Sequence, residues 1–352
     1  MTQNPLFTPV SATGEFGLID LLTDELGPPL DEDILRTIGD DAAVYKIGDG
    51  RVHVVTTDVL IESIHFDRTF MPMEYLGVKS MAVNVSDVVA MNAKPRFATI
   101  ALGIPHSVSV EMIQDVYRGI KKSCDAYGMT LIGGDTVAAQ KMTLSVTVIG
   151  EAEESSVVYR HGAAAGDTLC VTGDLGASYA GLRLLLEQNK KLQKSGNGFK
   201  PVLDDYKYVI QRHLTPTPRL SAIEAMKKAD VRPHAMIDIS DGLASEVQHI
   251  CRQSHCGALL TAKLLPIHEE TKKVAGIFSQ DADTYALYGG EDYELLVTLP
   301  ESELKKLPKG VLTQIGIITE EDTIAIETPE GAVIPLQGKG YQHFGGPSDV
   351  DS

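Results

Sequence analysis

Five times along this chain an aspartate stands where an apolar run or a Gly-rich turn ends. The motifs are IGDD (Ile38 to Asp41), TTD (Thr56 to Asp58), GGD (Gly133 to Asp135), DISDG (Asp238 to Gly242) and GGED (Gly289 to Asp292). Asp and Gly populate ordinary turns, and any one of these motifs alone reads as a turn. Repeated at strand ends, where the backbone is fixed and neighbouring strands bring carboxylates together, they make the donor set of a hard divalent cation. Magnesium takes carboxylate and phosphate oxygens in near-octahedral geometry and keeps several waters. Asp87 is a sixth candidate, on a helix predicted from Glu74 to Met91. Leu76, Val78, Met81, Ala82, Val83, Val85, Val88 and Val89 cover most of its circumference, while Ser80, Asn84 and Asp87 form one narrow polar stripe at i, i+4 and i+7. A buried carboxylate needs a cation, a proton or several hydrogen bonds. A metal cluster facing Asp87 explains the stripe; a partly exposed helix edge is the alternative. Asp238 and Asp241 flank Ser240, predicted as an N-cap, which would leave backbone N–H groups free for an anion or simply start a helix.

Other chemistries are disfavoured. No G-x-x-x-x-G-K-[ST] occurs, and the nearest match to G-x-G-x-x-G, from Gly196, has Pro201 in place of the third glycine. The Asp238 stretch fails as a calcium loop, with His249 where the closing Glu belongs. His249, Cys251, His255 and Cys256 cluster, but their spacing fits no standard zinc pattern. His65, seven residues beyond Asp58, could reach the same site or be structural.

Composition narrows the partners. The 352 residues carry 31 Lys and Arg against 48 Asp and Glu, a net charge of −17. Nucleic acid and anionic membrane both require a basic stripe to release counterions, so neither is expected. Any phosphate ligand must arrive with cations. The first twenty residues lack the basic and apolar segments of a secretory signal, and no apolar run approaches a membrane span, so a soluble cytoplasmic protein is expected. The 4 cysteines, Cys124, Cys170, Cys251 and Cys256, should be free thiols.

These carboxylates need elements to carry them. Strands are predicted at Val52 to Thr57, Phe97 to Leu102, Met142 to Ile149, Thr168 to Thr172, Ala235 to Ile239, Ala258 to Thr261 and Tyr293 to Leu299. Helices are predicted at Phe16 to Glu25, around Ile113, Val116, Ile120 and Cys124 with Gly128 as terminator, at Ser178 to Glu187, and after Gly242 with Leu243, Val247 and Ile250 on one face. Gln188 to Pro201 reads as an exposed loop, and the tail 346–352 as disordered. At this length two domains are the default. Their boundary is placed in the acidic linker GEAEESS, Gly150 to Ser156, giving 1–150 and 151–345. Each half has its own strand-and-acid motifs, as in a duplicated mixed α+β architecture.

GEFGLID (Gly14 to Asp20), IGDDAAV, VVTTDVLIESIHF (Val54 to Phe66), AVNVSDVVAMNAKP (Ala82 to Pro95), LIGGDT (Leu131 to Thr136), IDISDGL (Ile237 to Leu243), GGEDYEL (Gly289 to Leu295) and GKGYQHF (Gly338 to Phe344) occur in that order. The chain resembles the thiamine-monophosphate kinase family, of the aminoimidazole-ribotide-synthetase-like superfamily. That resemblance implies a two-domain α/β (α+β) fold: an N-terminal mixed-sheet α/β domain that binds ATP and metal and forms a homodimer interface, and a C-terminal α+β domain. It implies γ-phosphoryl transfer from ATP to thiamine monophosphate, with several Mg²⁺ ions. By matching motif, Asp41, Thr56, Thr57, Asp58, Asp87, Asp135, Asp238 and Asp241 resemble metal ligands. Tyr117, Gly134, Asp135, Arg160 and Ser240 resemble ATP contacts, and His65, Glu291 and Tyr341 substrate contacts. Tyr117 also lies near an apolar helical face, where a core tyrosine would sit. A sister synthetase or ligase of the superfamily, or a non-catalytic nucleotide or metal binder, are the alternatives. Selenophosphate synthesis would need a reactive Cys near the N-terminus, and the first here is Cys124.

Overall fold

The computed structural model describes residues 8–195 and 203–336. After α1 (Gly14–Leu26), a six-stranded sheet is built from β1 (Ile34–Arg36), β2 (Ala43–Gly48), β3 (Arg51–Ile61), β4 (Lys94–Ile104), β5 (Thr130–Ala138) and β6 (Thr143–Glu153). Its order is β1-β2-β3-β6-β4-β5, antiparallel except for β4 and β5. α2 (Met73–Ala90) links β3 to β4, and α3 (Val110–Tyr127) makes the crossover that the parallel pair β4 and β5 requires. Gly128, in the left-handed region at φ 66, ends α3 as its spacing predicts.

The second sheet runs β13-β12-β9-β11-β7-β10-β8. Its strands are β7 (Thr168–Val171), β8 (Ala235–Asp238), β9 (Gly257–Thr261), β10 (Leu295–Leu299), β11 (Thr313–Thr319), β12 (Ile324–Glu327) and β13 (Val333–Pro335). Its longer helices are α4 (Ala177–Ser195), α5 (Lys207–Leu214), α6 (Leu220–Lys228), α7 (Leu243–Ser254), α8 (Glu269–Ile277) and α9 (Ala282–Tyr288). Among the described residues no helix is long and apolar enough to cross a membrane.

α2 explains its own composition. It packs on β3 and β6 of the first sheet and on β8 of the second, so it needs apolar residues nearly all round. One core consequently crosses between the halves, from Val54, Met81 and Val148 to Met236, Val297 and Leu299. α3 approaches α2 through two glycines. A β-carbon on Gly77 would strike the Val116 carbonyl, and one on Gly119 the Glu74 carbonyl.

Three expected boundaries need correction. β6 pairs with β3 through Glu153, so the first half of the segment read as a linker is strand, its small and acidic residues notwithstanding. α4 continues through Ser195, because a polar Lys- and Gln-rich sequence is also a good solvated helix. β10 starts at Leu295, since Glu291 and Tyr293 have φ of 56 and 52, incompatible with an extended strand. The rest of the expected loop, the tail 346–352 and Tyr341 lie outside the described residues.

Candidate active site

Strand alternation divides the TTD motif. Thr56 and Asp58 point from β3 toward α2, while Thr57 points to the other face, where its hydroxyl donates to the Val146 carbonyl at 3.0 Å. Across from them the polar stripe of α2 faces the strand as its spacing predicts. Thr56 Oγ1 donates to Asp87 Oδ2 at 2.6 Å, and the Asp58 N–H donates to Asn84 Oδ1 at 2.9 Å. From the second sheet, Asp238 ends β8 with its Oδ2 accepting from Ser86 Oγ at 2.6 Å. From the loop after β1, Asp41 enters with Oδ1 held by Arg160 Nη2 at 2.6 Å and Nε at 3.0 Å. One ligand oxygen from each of Asp41, Asp87 and Asp238 falls within 4.8 Å of the others. Three remote segments thus converge on one point at the junction of the halves.

The electrostatics of this point are unfavourable without cations. Burial pushes Asp41 up to about 6 despite the opposing charge of Arg160. Burial likewise pushes Asp58 up to about 6. Asp238 rises to about 8 through burial and then the charge of Asp41, with Ser86 and Arg160 pulling the other way. Asp87 lies well above the usual carboxylate range, from burial and then the charges of Asp58, Asp238 and Asp41. A divalent cation would offset these shifts, taking the place of the protons and stabilising the buried carboxylates in their charged form. Asp41 Oδ2 is buried without a hydrogen-bond partner, an acceptor ready for a ligand. The donors are all carboxylate and hydroxyl oxygens, which suits magnesium rather than zinc.

Asp135 does not join this cluster within the chain. It is exposed on edge strand β5, separated from β3 by β6 and β4, about 14 Å at ordinary strand spacing. There it lines a second site, an open groove of about 490 Å³ bounded by Tyr117, Leu131, Gly133, Gly134, Asp135 and Thr136. Its Oδ1 accepts from the Thr136 N–H at 2.8 Å. Tyr117 is 39% exposed while its neighbours Val116 and Ile120 are buried, so it is not a core tyrosine.

The DISDG turn differs from expectation. Gly242, not Ser240, precedes the first turn of α7, and no side chain caps it. Glu246, buried in that first turn, instead accepts from the N–H groups of Ser240 at 3.1 Å and Asp241 at 2.8 Å. An internal carboxylate therefore occupies the donors expected to be free for an anion. His65 folds back on β3, its Nδ1 accepting from the Ile61 N–H at 3.0 Å. Glu291 is reached by Lys79 Nζ at 2.8 Å and His213 Nδ1 at 3.3 Å. Burial raises its carboxyl, but the Lys79 ammonium and the His213 ring prevail and hold it well below the usual range. As for zinc, His249 and Cys251 leave α7 about 200° apart and do not converge, and Cys251 and Cys256 belong to the C-terminal core.

Supporting residues were missed in the sequence. Arg36 Nη2 donates to Gln253 Oε1 at 2.7 Å, and Gln253 Nε2 to the Gly39 carbonyl at 2.7 Å, so α7 clamps the loop that carries Asp41. Such contacts leave no local signal. Lys79 and Ser86 did leave one: two polar residues seven apart on an apolar helix share a face, and that face meets the second sheet.

Comparisons with known proteins cover the same ground. Residues 39–152 match the model for the AIR synthase related protein N-terminal domain, and 164–328 the model for its C-terminal domain. A thiamine-monophosphate kinase of Aquifex aeolicus is 35% identical over 331 residues, covering 94% of this chain and 98% of its own. One of Bacillus subtilis is 36% identical over 319 residues, covering 87% and 93%. A solved structure described as AaThiL complexed with AMPPCP and TMP superposes with a TM-score of 0.82 at 34% identity, covering 96% of this chain and 99% of the other. With identity at this level along nearly the whole of both chains, this protein belongs to the thiamine-monophosphate kinase family.

Proposed function

We propose that the protein transfers the γ-phosphoryl group of ATP to thiamine monophosphate, giving thiamine diphosphate and ADP, with several magnesium ions bound by its acidic cluster. One observation carries this reading: the near full-length similarity to a structure whose description names both AMPPCP, an ATP analogue, and TMP. The site's chemistry supports it. ATP carries roughly −4 and a phosphomonoester about −1.5 to −2, and here they would meet a ring of carboxylates. Bound magnesium would neutralise that charge and the charge developing on the transferred group.

In this reading Asp41, Thr56, Asp58, Asp87, Asp238 and Asp241 hold metal by side chain. Thr57, its hydroxyl turned away, could serve only through its carbonyl oxygen. Asp135 is a ligand at the groove, where Tyr117 and Gly134 take the nucleotide, while Arg160 and Ser240 contact it from beside the acidic cluster. His65, Glu291 and Tyr341 contact the acceptor. The acceptor phosphate is already ionised at neutral pH, so direct in-line transfer needs positioning rather than a general base, and no phosphoenzyme forms. The N-terminal domain, extended to the end of β6 at Glu153, carries most of the metal and nucleotide contacts, and the C-terminal domain supplies the rest. The protein works as a cytoplasmic homodimer. Support for the dimer comes from apolar surface left open on the first sheet, at Tyr45, Val59, Ile132 and Val137.

Mixing purified protein with ATP, magnesium and thiamine monophosphate should yield ADP and thiamine diphosphate in equal amounts, with unphosphorylated thiamine inert. ADP without thiamine diphosphate would refute the assigned acceptor. Light scattering should give twice the chain mass; a monomer at micromolar concentration would refute the dimer.

A further inference from the structure

Lys79 is wholly buried, at 0% exposure, in the middle of α2. Its Nζ lies 2.8 Å from Glu291 Oε1, and among the described residues no other acceptor reaches it. An ammonium in such a place is strongly unfavourable unless paired, and an apolar residue would seat α2 between the sheets with less penalty. The charge must therefore serve its partner.

That partner sits on an unusual turn. Gly290, Glu291 and Tyr293 have φ of 68, 56 and 52, a left-handed conformation that persists only where its surroundings over-determine it. Carboxylates of the turn supply the restraint. Asp292 accepts from the N–H groups of Gly176 at 2.6 Å and Ser178 at 3.2 Å. Glu294 accepts from Arg212 at 2.7 Å and from Arg219. Glu291 differs from these two, being 28% exposed at its side chain while they are fully buried. It bridges interior and solvent, with one oxygen on Lys79 and the other 3.3 Å from His213.

We propose that Lys79 is a positioning residue for the acceptor substrate: reaching from α2 of the N-terminal half, it fixes the direction of the Glu291 carboxylate on the C-terminal half. This rests on the reading of Glu291 as an acceptor contact. The carboxylate so held suits a ligand with a cationic or N–H-bearing heteroaromatic ring. Because Lys79 and Ser86 share one face of α2, and Ser86 holds Asp238, a single helix sets both the acceptor contact and one carboxylate of the metal cluster.

The test uses the full chain with Lys79→Met, Glu291→Gln and the double variant, measuring kcat and the KM for ATP and for thiamine monophosphate. Lys79→Met should raise the acceptor KM about tenfold or more while the ATP KM moves less than about twofold. Combined with Glu291→Gln it should add nothing further to the acceptor KM, since it acts through that residue. Equal rises in both KM values, or additive effects in the double variant, would make Lys79 a structural strut and overturn the proposal. An unchanged acceptor KM in Glu291→Gln alone would refute the reading of Glu291 itself, and the proposal with it. Should Lys79→Met fail to fold, Lys79→Gln, which keeps a donor, should still raise the acceptor KM selectively; no rise would overturn the proposal.

Discussion

Asp87→Asn separates what the acidic cluster contributes from what it costs the fold. Two unit charges 4.8 Å apart, the outer limit among the ligand atoms of Asp41, Asp87 and Asp238, repel by about 3.5 kcal/mol at an effective dielectric constant of 20. Protons absorb part of this, since each carboxyl is raised above its ordinary 3.8. A carboxyl raised in the folded state binds its proton there more tightly than in the unfolded chain. Its favourable protonated state is complete below 3.8 and is lost as pH climbs to the folded value. For Asp41, moved from 3.8 to about 6, that loss is about 3 kcal/mol. Metal-free protein should therefore become less stable from pH 4 to 8, with Asp238 extending the window to about 8. Removing the Asp87 charge should recover about 1 to 2 kcal/mol at pH 8, or about 1 to 3 °C in Tm for a chain this large. With magnesium the order reverses. Native protein should gain stability and turnover, while Asp87→Asn gains little and turns over at least about a hundredfold more slowly. Thermal melts in EDTA and in magnesium at pH 5.5, 7 and 8.5 read the stabilities, and ADP release at saturating magnesium reads the turnover. A native Tm in EDTA that rises with pH, or near-normal turnover of Asp87→Asn at saturating magnesium, would refute the shared-metal cluster.

Other perturbations test the scaffold and the groove. Gly119→Val should destabilise by about 3 kcal/mol or more, because its side chain would meet the Glu74 carbonyl where α3 crosses α2; urea denaturation measures it. Glu294→Gln removes the buried carboxylate that Arg212 and Arg219 share, leaving Arg212 only the more distant Asp292 at 3.9 Å, and should lose about 3 kcal/mol by the same measurement. Tyr117→Ala should raise the KM for ATP about fivefold through lost aromatic contact, with the KM for thiamine monophosphate unchanged.

Much of the site was legible because its cause is local. A strand alternates its faces and a helix repeats every 3.6 residues, so the stripe Ser80, Asn84 and Asp87 and the separation of Thr56 from Thr57 follow from spacing alone. The six aspartate-bearing motifs could be named, and their likeness to a family recognised, without coordinates. Which carboxylates meet was not legible. Asp41, Asp87 and Asp238 are far apart in the chain and converge because α2 is buried between two sheets. Asp135, in an equally suggestive motif, is carried three strands away to the sheet edge by strand order, a property of pairing that no local pattern encodes. The expected cap at Ser240 failed for a related reason. Glu246, a turn further on, is driven inward by the fold and takes the N–H groups of Ser240 and Asp241, while Gly242 rather than Ser240 precedes the helix. Sequence decides which residues can do chemistry and which face of an element each lies on. Tertiary packing decides which charges share a dielectric, and with that whether an aspartate is a turn residue, a metal ligand or, like Glu291, a carboxylate held in place by a lysine from the other half of the molecule.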